Sequence, residues 1–499
     1  MKILFVASEC VPFCKTGGLA DVVGALPKAL RAKRHDVRIV LPKYKSIRGQ
    51  EFGIKETGEY VRVPMGRGRM ETADIRVAKT EKGIPVYFVN HDGYFGRAGL
   101  YGSRYGEYPD NGERFAFFCK AALDACKAIQ FRPDVIHCHD WQTGLVPMYL
   151  KVLLKGDAFF QHTASVFTIH NIAYQGIFPK TLLEATGFSW NEFRIDQFEY
   201  YDQISFMKAA LNNADYLTTV SPTYAKEIQS AYEFGQGMEG VLRARSGKLV
   251  GILNGLDTDD WDPAKDPFLA APFDADSLES RQDCKAVLQK GLNFTVSPGV
   301  PVLGVVARID RQKGVDLLAQ VIPDLMRRHN IQIIVLGQGD LDLVREFERD
   351  ASQYPGHIRI CTDFNEPLAH HIYGGCDLFL MPSRFEPCGL SQMIAMRYGA
   401  IPVVANTGGL HDTVTQSSAS AGTGFLFQPG SAPAFLGAIE QALAMFRNRQ
   451  AWGALQLRAM NENFSWNLSV PSYLAVYRQA LGRKAKPSQR SRPKSRKSK

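Results

Sequence analysis

No stretch of this chain approaches the ~20 consecutive apolar residues that a membrane-spanning helix needs. The apolar run at the N-terminus is broken at Ser8 and Glu9, so a secretory signal is not expected. Cysteine occurs nine times, an odd number, and no Cys-x-x-Cys is present. That pattern speaks against a disulfide framework and for buried thiols in a reducing cytoplasm. No Gly-x-Gly-x-x-Gly fingerprint directly follows a strand-like run, which disfavours a dinucleotide-dependent oxidoreductase. Acidic residues are absent from 483–499, where nine Lys and Arg residues stand. The preceding residues hold 50 basic and 50 acidic side chains, so the formal charge of +9 belongs to the tail. A tail of Lys, Arg, Ser and Pro is expected to be disordered. It reads first as a solubilising extension and second as a contact for a polyanion.

What is present is the rhythm of two α/β domains. With 499 residues the chain is too long for one core. Strand-like runs at Lys2–Ala7, Val37–Leu41, Val86–Asn90, Val135–His137, Ser165–Ile169 and Tyr216–Val220 alternate with helical patterns at Ala20–Leu30, Arg114–Ile129 and Trp141–Leu153. The alternation lapses over 258–300. It resumes with strands at Val302–Ala307, Gln332–Leu336, Ile358–Cys361, Leu378–Met381 and Pro402–Ala405, separated by helical segments that include Val315–Arg328 and Gly389–Tyr398. Strands alternating with helices predict parallel sheets, one per half. Ligands of such sheets sit beyond the C-terminal ends of the strands, and two sheets in tandem suggest a cleft between them.

The chemistry-bearing residues fall at those ends. Lys15-Thr16-Gly17-Gly18-Leu19 links the first strand to its helix. Its glycines let backbone amides approach an anion, and Lys15 adds a mobile charge. Thr407-Gly408-Gly409-Leu410 echoes it in the second half. Arg308 and Lys313 follow the strand Val302–Ala307 and are able to converge on one anion. Glu386, in Arg384-Phe385-Glu386-Pro387-Cys388-Gly389-Leu390, suits sugar hydroxyls or a developing cationic sugar, or else simply a helix start. His137-Cys138-His139-Asp140-Trp141 and His170-Asn171 end two strands and suit sugar recognition. A zinc site there is not expected, because no metal-ligand spacing recurs. The tyrosines of Tyr94–Tyr108 suit stacking on carbohydrate, or ordinary packing.

In this order the motifs resemble those of the bacterial and plastid glycogen/starch synthases. Asn254-Gly255-Leu256-Asp257 belongs to the same set, and the likeness covers roughly residues 1–480. The resemblance implies a GT-B fold of two Rossmann-like domains, with an N-terminal domain over 1–255 and a nucleotide-sugar domain over 256–465. It also implies a helix over 466–482 that returns to the first domain, ahead of the tail 483–499. The implied activity is retaining transfer of glucose from ADP-glucose to the non-reducing 4-hydroxyl of an α-1,4-glucan such as glycogen, in the cytoplasm, without metal or other cofactor. Carried over by position, Glu386, Arg308, Lys313 and His170 form the catalytic group. Lys15, Gly17, Gly18, Asp21, Asn254, Phe364, Cys388, Gly389, Leu390, Thr407, Gly408 and Gly409 face the donor. Asp140, Trp141 and Tyr101 lie on the glucose and acceptor side. Phe364 stands where the family usually has Tyr, so stacking on adenine is kept and a phenol hydrogen bond is not. Two other readings of the residues stand beside this one. Asp257-Thr258-Asp259 is the Asp-x-Asp of a metal-dependent transferase, and the basic tail is the working part of a non-catalytic polyanion binder.

Overall fold

The computed structural model describes residues 1–103, 105–363, 365–418 and 420–482. Phe364 and the tail 483–499 lie outside the described residues. The first half builds a nine-stranded sheet. From edge to edge its strands are Leu249–Gly251, Tyr216–Thr219, Ala164–Ile169, Val135–His139, Lys2–Val6, Asp36–Pro42, Pro85–Asn90, Met70–Lys79 and Lys55–Pro64. The first seven are mutually parallel, and the last two join antiparallel. The register sets Phe5 beside His137 and Cys138 beside Phe167. The ends of Lys2–Val6, Val135–His139 and Ala164–Ile169 therefore open on one side of the sheet.

A second sheet of six parallel strands runs Ile358–Cys361, Gln332–Leu336, Val302–Val306, Leu378–Met381, Ile401–Ala405 and Phe425–Phe427. The strands Val135–His139 and Ala164–Ile169 are buried at every position, as expected for strands with helices on both faces. Each sheet has its own apolar core, one reaching Ile252 and the other starting at Leu256. The last helix, Trp466–Gly482, packs Val470, Tyr473, Val476 and Tyr477 into the first core. Burial of a side chain such as Val470 contributes about 1.5–3 kcal/mol. Two crossings thus connect the halves and run side by side: the Leu256 amide donates to Phe464 O at 2.7 Å.

Three local features differ from the sequence reading. The hairpin Lys55–Pro64/Met70–Lys79 has no expected counterpart, because most of its first strand is exposed and carries no apolar run. The expected helix Trp141–Leu153 is a 3₁₀ turn, Trp141–Thr143, followed by a helix at Leu145–Lys151. The Thr143 hydroxyl turns back onto His139 O at 2.9 Å and holds the irregular turn. The helix expected from Gly389 begins at Ser391, because Gly389 has φ +72°.

Candidate active site

Two loops of the second sheet bring a cation and a carboxylate together. Lys313 follows the strand Val302–Val306 and Glu386 follows its neighbour Leu378–Met381. Lys313 Nζ lies 2.6 Å from Glu386 Oε2, and Ser383 Oγ donates to the same oxygen at 3.1 Å. Gly314 makes this approach possible. It has φ +67°, and a Cβ there would sit 1.8 Å from Pro382 O. Arg308, on the same loop, reaches the first domain, where its Nη1 donates to Tyr174 OH at 3.1 Å. Asp310 lies 3.3 Å from the guanidinium, and Arg308 stays 48% exposed, so its charge remains available to an anion in the cleft.

Both expected phosphate cradles are occupied by the chain's own carboxylates. At the first, Glu9 Oε2 accepts from the Thr16 and Gly17 amides, while Oε1 accepts from Thr16 Oγ1 and Tyr101 OH, each at 2.6 Å. Gly17 therefore offers no open amide. Gly18 begins the helix Gly18–Ala32 and faces the other domain, where an added Cβ would meet Leu390 Cδ1 at an ordinary contact distance of 3.8 Å. At the second, Glu227 Oε1 accepts from Gly408 N and Thr407 Oγ1, both at 2.9 Å. Gly409 N donates to Glu386 O at 3.0 Å. Thr407, Gly408 and Gly409 thus dock the first domain and brace the Glu386 loop. Gly408 is required there, since a Cβ would lie 1.9 Å from Glu386 O.

On the first sheet, Asp140 has φ +53° and accepts the His170 amide at 2.7 Å. Burial raises its carboxyl to about 7, against the pull of the His170 and Asn171 amides. His170 Nε2 lies 2.9 Å from His139 Nδ1, and burial lowers His170 to about 3. His137 is held by Tyr477 OH at 2.8 Å and Thr168 Oγ1 at 2.6 Å, deep in the core. Trp141 does not present a face to a sugar. Its indole packs against Phe115, Phe178 and Phe206, with Gly176 beneath it. The Tyr101 hydroxyl is likewise committed, to Glu9 and to Ser8 Oγ at 2.7 Å. Tyr94 binds Glu113 and Tyr108 lies under Arg97 and Arg114, which leaves Tyr105 as the exposed tyrosine of its loop. Cys388 is buried, and burial pushes its thiol up to about 12, so it is no nucleophile at neutral pH. Asn254, beside it, is buried, and its Oδ1 has no partner among the described residues. Lys15 pairs with Asp21 at 2.7 Å and stays 46% exposed at the mouth of the first loop.

The carboxylates of the Asp-x-Asp are paired with lysines. Asp257 pairs with Lys28 at 2.7 Å and Asp259 with Lys82 at 3.0 Å, so each carboxylate already has a cation. Among the described residues, no group of three or more His, Cys, Asp or Glu side chains is gathered as for a metal ion. No helix among them is long and apolar enough to cross a membrane.

Residues 2–244 match the starch synthase catalytic domain family, and residues 294–454 match the group 1 glycosyl transferases. The chain is 44% identical over 487 residues to a glycogen synthase of Syntrophotalea carbinolica, covering 96% of this chain and 99% of that one. It is 45% identical over 482 residues to glycogen synthase 2 of Geobacter sulfurreducens, with the same coverage. The chain belongs to the glycogen synthase family. It is a glycosyltransferase with the GT-B fold. The catalytic domain of starch synthase IV from Arabidopsis thaliana, solved with ADP and acarbose bound, superposes with a TM-score of 0.89 at 35% identity, covering 96% of this chain and 99% of that one. A sucrose-phosphate synthase from Thermosynechococcus elongatus shares the fold, with a TM-score of 0.60 at 18% identity over 97% and 100% of the two chains.

Within this glycogen synthase fold the side chains that the sequence reading missed are partners of motif residues or of the facing domain: Glu9, Tyr174, Glu227 and Asp412. Glu9 meets Thr16 seven residues on. The other three reach their partners across more than a hundred residues, as Tyr174 does with Arg308.

Proposed function

We propose that this chain transfers glucose from ADP-glucose to the non-reducing 4-hydroxyl of an α-1,4-glucan, with retention of anomeric configuration and release of ADP. The observation that carries the reading is the juxtaposition of Arg308, Lys313 and Glu386 at the ends of adjacent strands, facing the first domain. Cleavage of a glycosyl–phosphate bond builds negative charge on the departing diphosphate. Fixed cations aimed at it lower the barrier more than they tighten the ground state. Arg308 and Lys313 supply that charge, and Lys15 and the Gly18 amide approach from the opposite wall. Gly389 and Leu390 line the donor side where the two walls meet. Asn254, whose Oδ1 has no partner among the described residues, lies at the floor beside Cys388.

Glu386 is paired with Lys313 and with the Ser383 hydroxyl. A carboxylate so neutralised suits binding of sugar hydroxyls better than nucleophilic attack. Retention then follows a same-face route, in which the leaving phosphate takes the proton of the incoming hydroxyl as the new bond forms. The His170 ring and the Asp140 loop bound the sugar. The reaction needs no metal or other cofactor, and it runs in the cytoplasm, where the nine free cysteines stay reduced. The tail 483–499 is read first as a solubilising extension, and heparin binding compared before and after truncation at Gly482 tests the second reading, contact with a polyanion.

The deciding experiment incubates the purified chain with ADP-glucose and glycogen and follows ADP release, then repeats the assay with UDP-glucose and with EDTA. Faster turnover with ADP-glucose and indifference to EDTA are expected. No ADP release sinks the reading, and a glucosyl adduct trapped on Glu386 replaces the same-face route with double displacement.

A further inference from the structure

Sequence and fold together leave one member of His137-Cys138-His139-Asp140-Trp141 without a task. His139 is fully buried at the end of the strand Val135–His139. Its Nδ1 lies 2.9 Å from Nε2 of His170. Its other ring nitrogen, Nε2, is enclosed and has no hydrogen-bond partner among the described residues. We propose that His139 is a positioning residue, donating from Nδ1–H to His170 Nε2 and so holding His170 as the Nδ1–H tautomer, which offers the cleft a donor. The proposal rests on the reading that His170 borders the glucosyl unit.

Two neutral imidazoles in N···N contact share one proton between them. Both rings are neutral here, since burial holds His170 at about 3 and His139 well below the ordinary histidine range, with His137 and His170 adding to the effect on His139. Two arrangements are then open. If His170 donated from Nε2, His139 would carry its own proton on Nε2, a buried N–H with nothing to accept it. If His139 donates from Nδ1, its enclosed Nε2 carries only a lone pair. Buried orphan donors are rarer and costlier than under-used acceptors. The second arrangement therefore prevails, and His170 bears its proton on Nδ1, the ring atom that His139 does not engage.

The surroundings keep His139 from rotating away. Its ring stacks on Phe5 at 5.3 Å and 17°, and its centroid lies 4.2 Å from that of His137. Its backbone amide donates to Thr143 Oγ1 at 2.7 Å. His137 is itself fixed by Tyr477 and Thr168, so the last helix of the chain braces the ring pair. Asp140 holds the His170 backbone while His139 holds its ring, and the sugar meets a donor of fixed direction.

The test is long-range proton–nitrogen NMR on the full chain labelled with ¹⁵N-histidine, with His170 assigned by the signals lost in His170→Gln. In the wild-type protein without substrate, the protonated nitrogen of His170 is expected to be Nδ1. His139→Leu removes the donor. The His170 proton should then distribute over both nitrogens, and kcat should fall about 10- to 100-fold with donor KM within about threefold. His139→Asn puts an amide N–H where Nδ1 stood. It should restore the Nδ1–H signal and bring kcat to within about fivefold of wild type. A wild-type His170 protonated on Nε2 overturns the proposal, as does a His139→Leu protein with wild-type tautomer and rate. Should His139→Leu not fold, the wild-type spectrum and His139→Asn decide. Failure of the functional reading is separate: it shows as no ADP release by wild type, and the tautomer is read without substrate.

Discussion

Lys313 and Glu386 are 73 residues apart in the chain, and their charged groups lie 2.6 Å apart. The contact exists because parallel pairing of Val302–Val306 with Leu378–Met381 brings the loops after both strands to one edge. Glu386 is 6% exposed and Lys313 20%, so the pair is sheltered from the solvent screening that weakens surface ion pairs. Lys313→Ala should lower kcat by about 10²–10³, with a smaller change in donor KM, because the charge acts on a leaving group that is most negative in the transition state. Steady-state kinetics on the purified variant check this, and a change confined to KM would refute it.

Gly314 tests the same contact through the backbone. A Cβ at φ +67° is strained by itself, and here it also meets Pro382 O at 1.8 Å. Gly314→Ala should therefore separate the two loops. A loss of at least about 1–3 kcal/mol of stability and a fall in kcat of tenfold or more are expected, read by thermal melting and turnover. An unchanged melting point would show that the loop relaxes freely.

The two domains exchange carboxylates. Glu227 closes the helix Pro222–Glu227 and caps Gly408 N and Thr407 Oγ1 at the start of Gly408–Thr413. Asp412, near the end of Gly408–Thr413, accepts from Thr223 N at 2.8 Å and Thr223 Oγ1 at 2.6 Å. Each helix thus satisfies the free amides of the other. Glu227→Ala and Asp412→Ala should each weaken closure by about 1.5–3 kcal/mol, the range for charge-assisted hydrogen bonds. Small-angle scattering should show a larger radius of gyration for the double variant, with a raised donor KM. Identical scattering of variant and wild type would count against the clasp.

Buried histidines make the fold sensitive to acid. His137 and His170 titrate near 3 when folded, against ~6.5 when unfolded. Between those values only the unfolded chain takes up protons. The stability they contribute is complete above pH ~6.5 and declines as pH falls toward 3. Asp140 has the opposite sense. Its folded value of about 7 exceeds the unfolded ~3.9, so its contribution is present at low pH and is lost as pH rises through 7. Asp140→Asn should gain in melting temperature relative to wild type between pH 5 and pH 8. A pH-independent difference would mean that Asp140 is already ionised at pH 5.

Much of this was legible in the chain itself. Central strands such as Gln332–Leu336 are apolar at every position but the first and could be read directly. The hairpin Lys55–Pro64/Met70–Lys79 could not, because edge strands facing water carry little apolar pattern. The residues at strand ends, Arg308, Lys313, Glu386, Asp140 and His170, were readable because loops after parallel strands are where such sheets bind ligands. The packing of Trp141 and the carboxylate partners of both Thr-Gly-Gly-Leu loops were not legible. A tryptophan beside polar residues and a glycine pair before a helix look the same in one dimension whether they face a ligand or another part of the chain.

The sequence by itself determined the parallel strands of the two sheets, their order along the chain, and the cation–carboxylate set at their ends, since those follow from short-range periodicity and turn chemistry. Tertiary structure alone decided which side chain each of these groups meets. Glu9 sits on Thr16 and Gly17, Glu227 on Thr407 and Gly408, and His139 on His170. A hydrogen bond depends on distance in space, and the fold sets the distance between residues far apart along the chain.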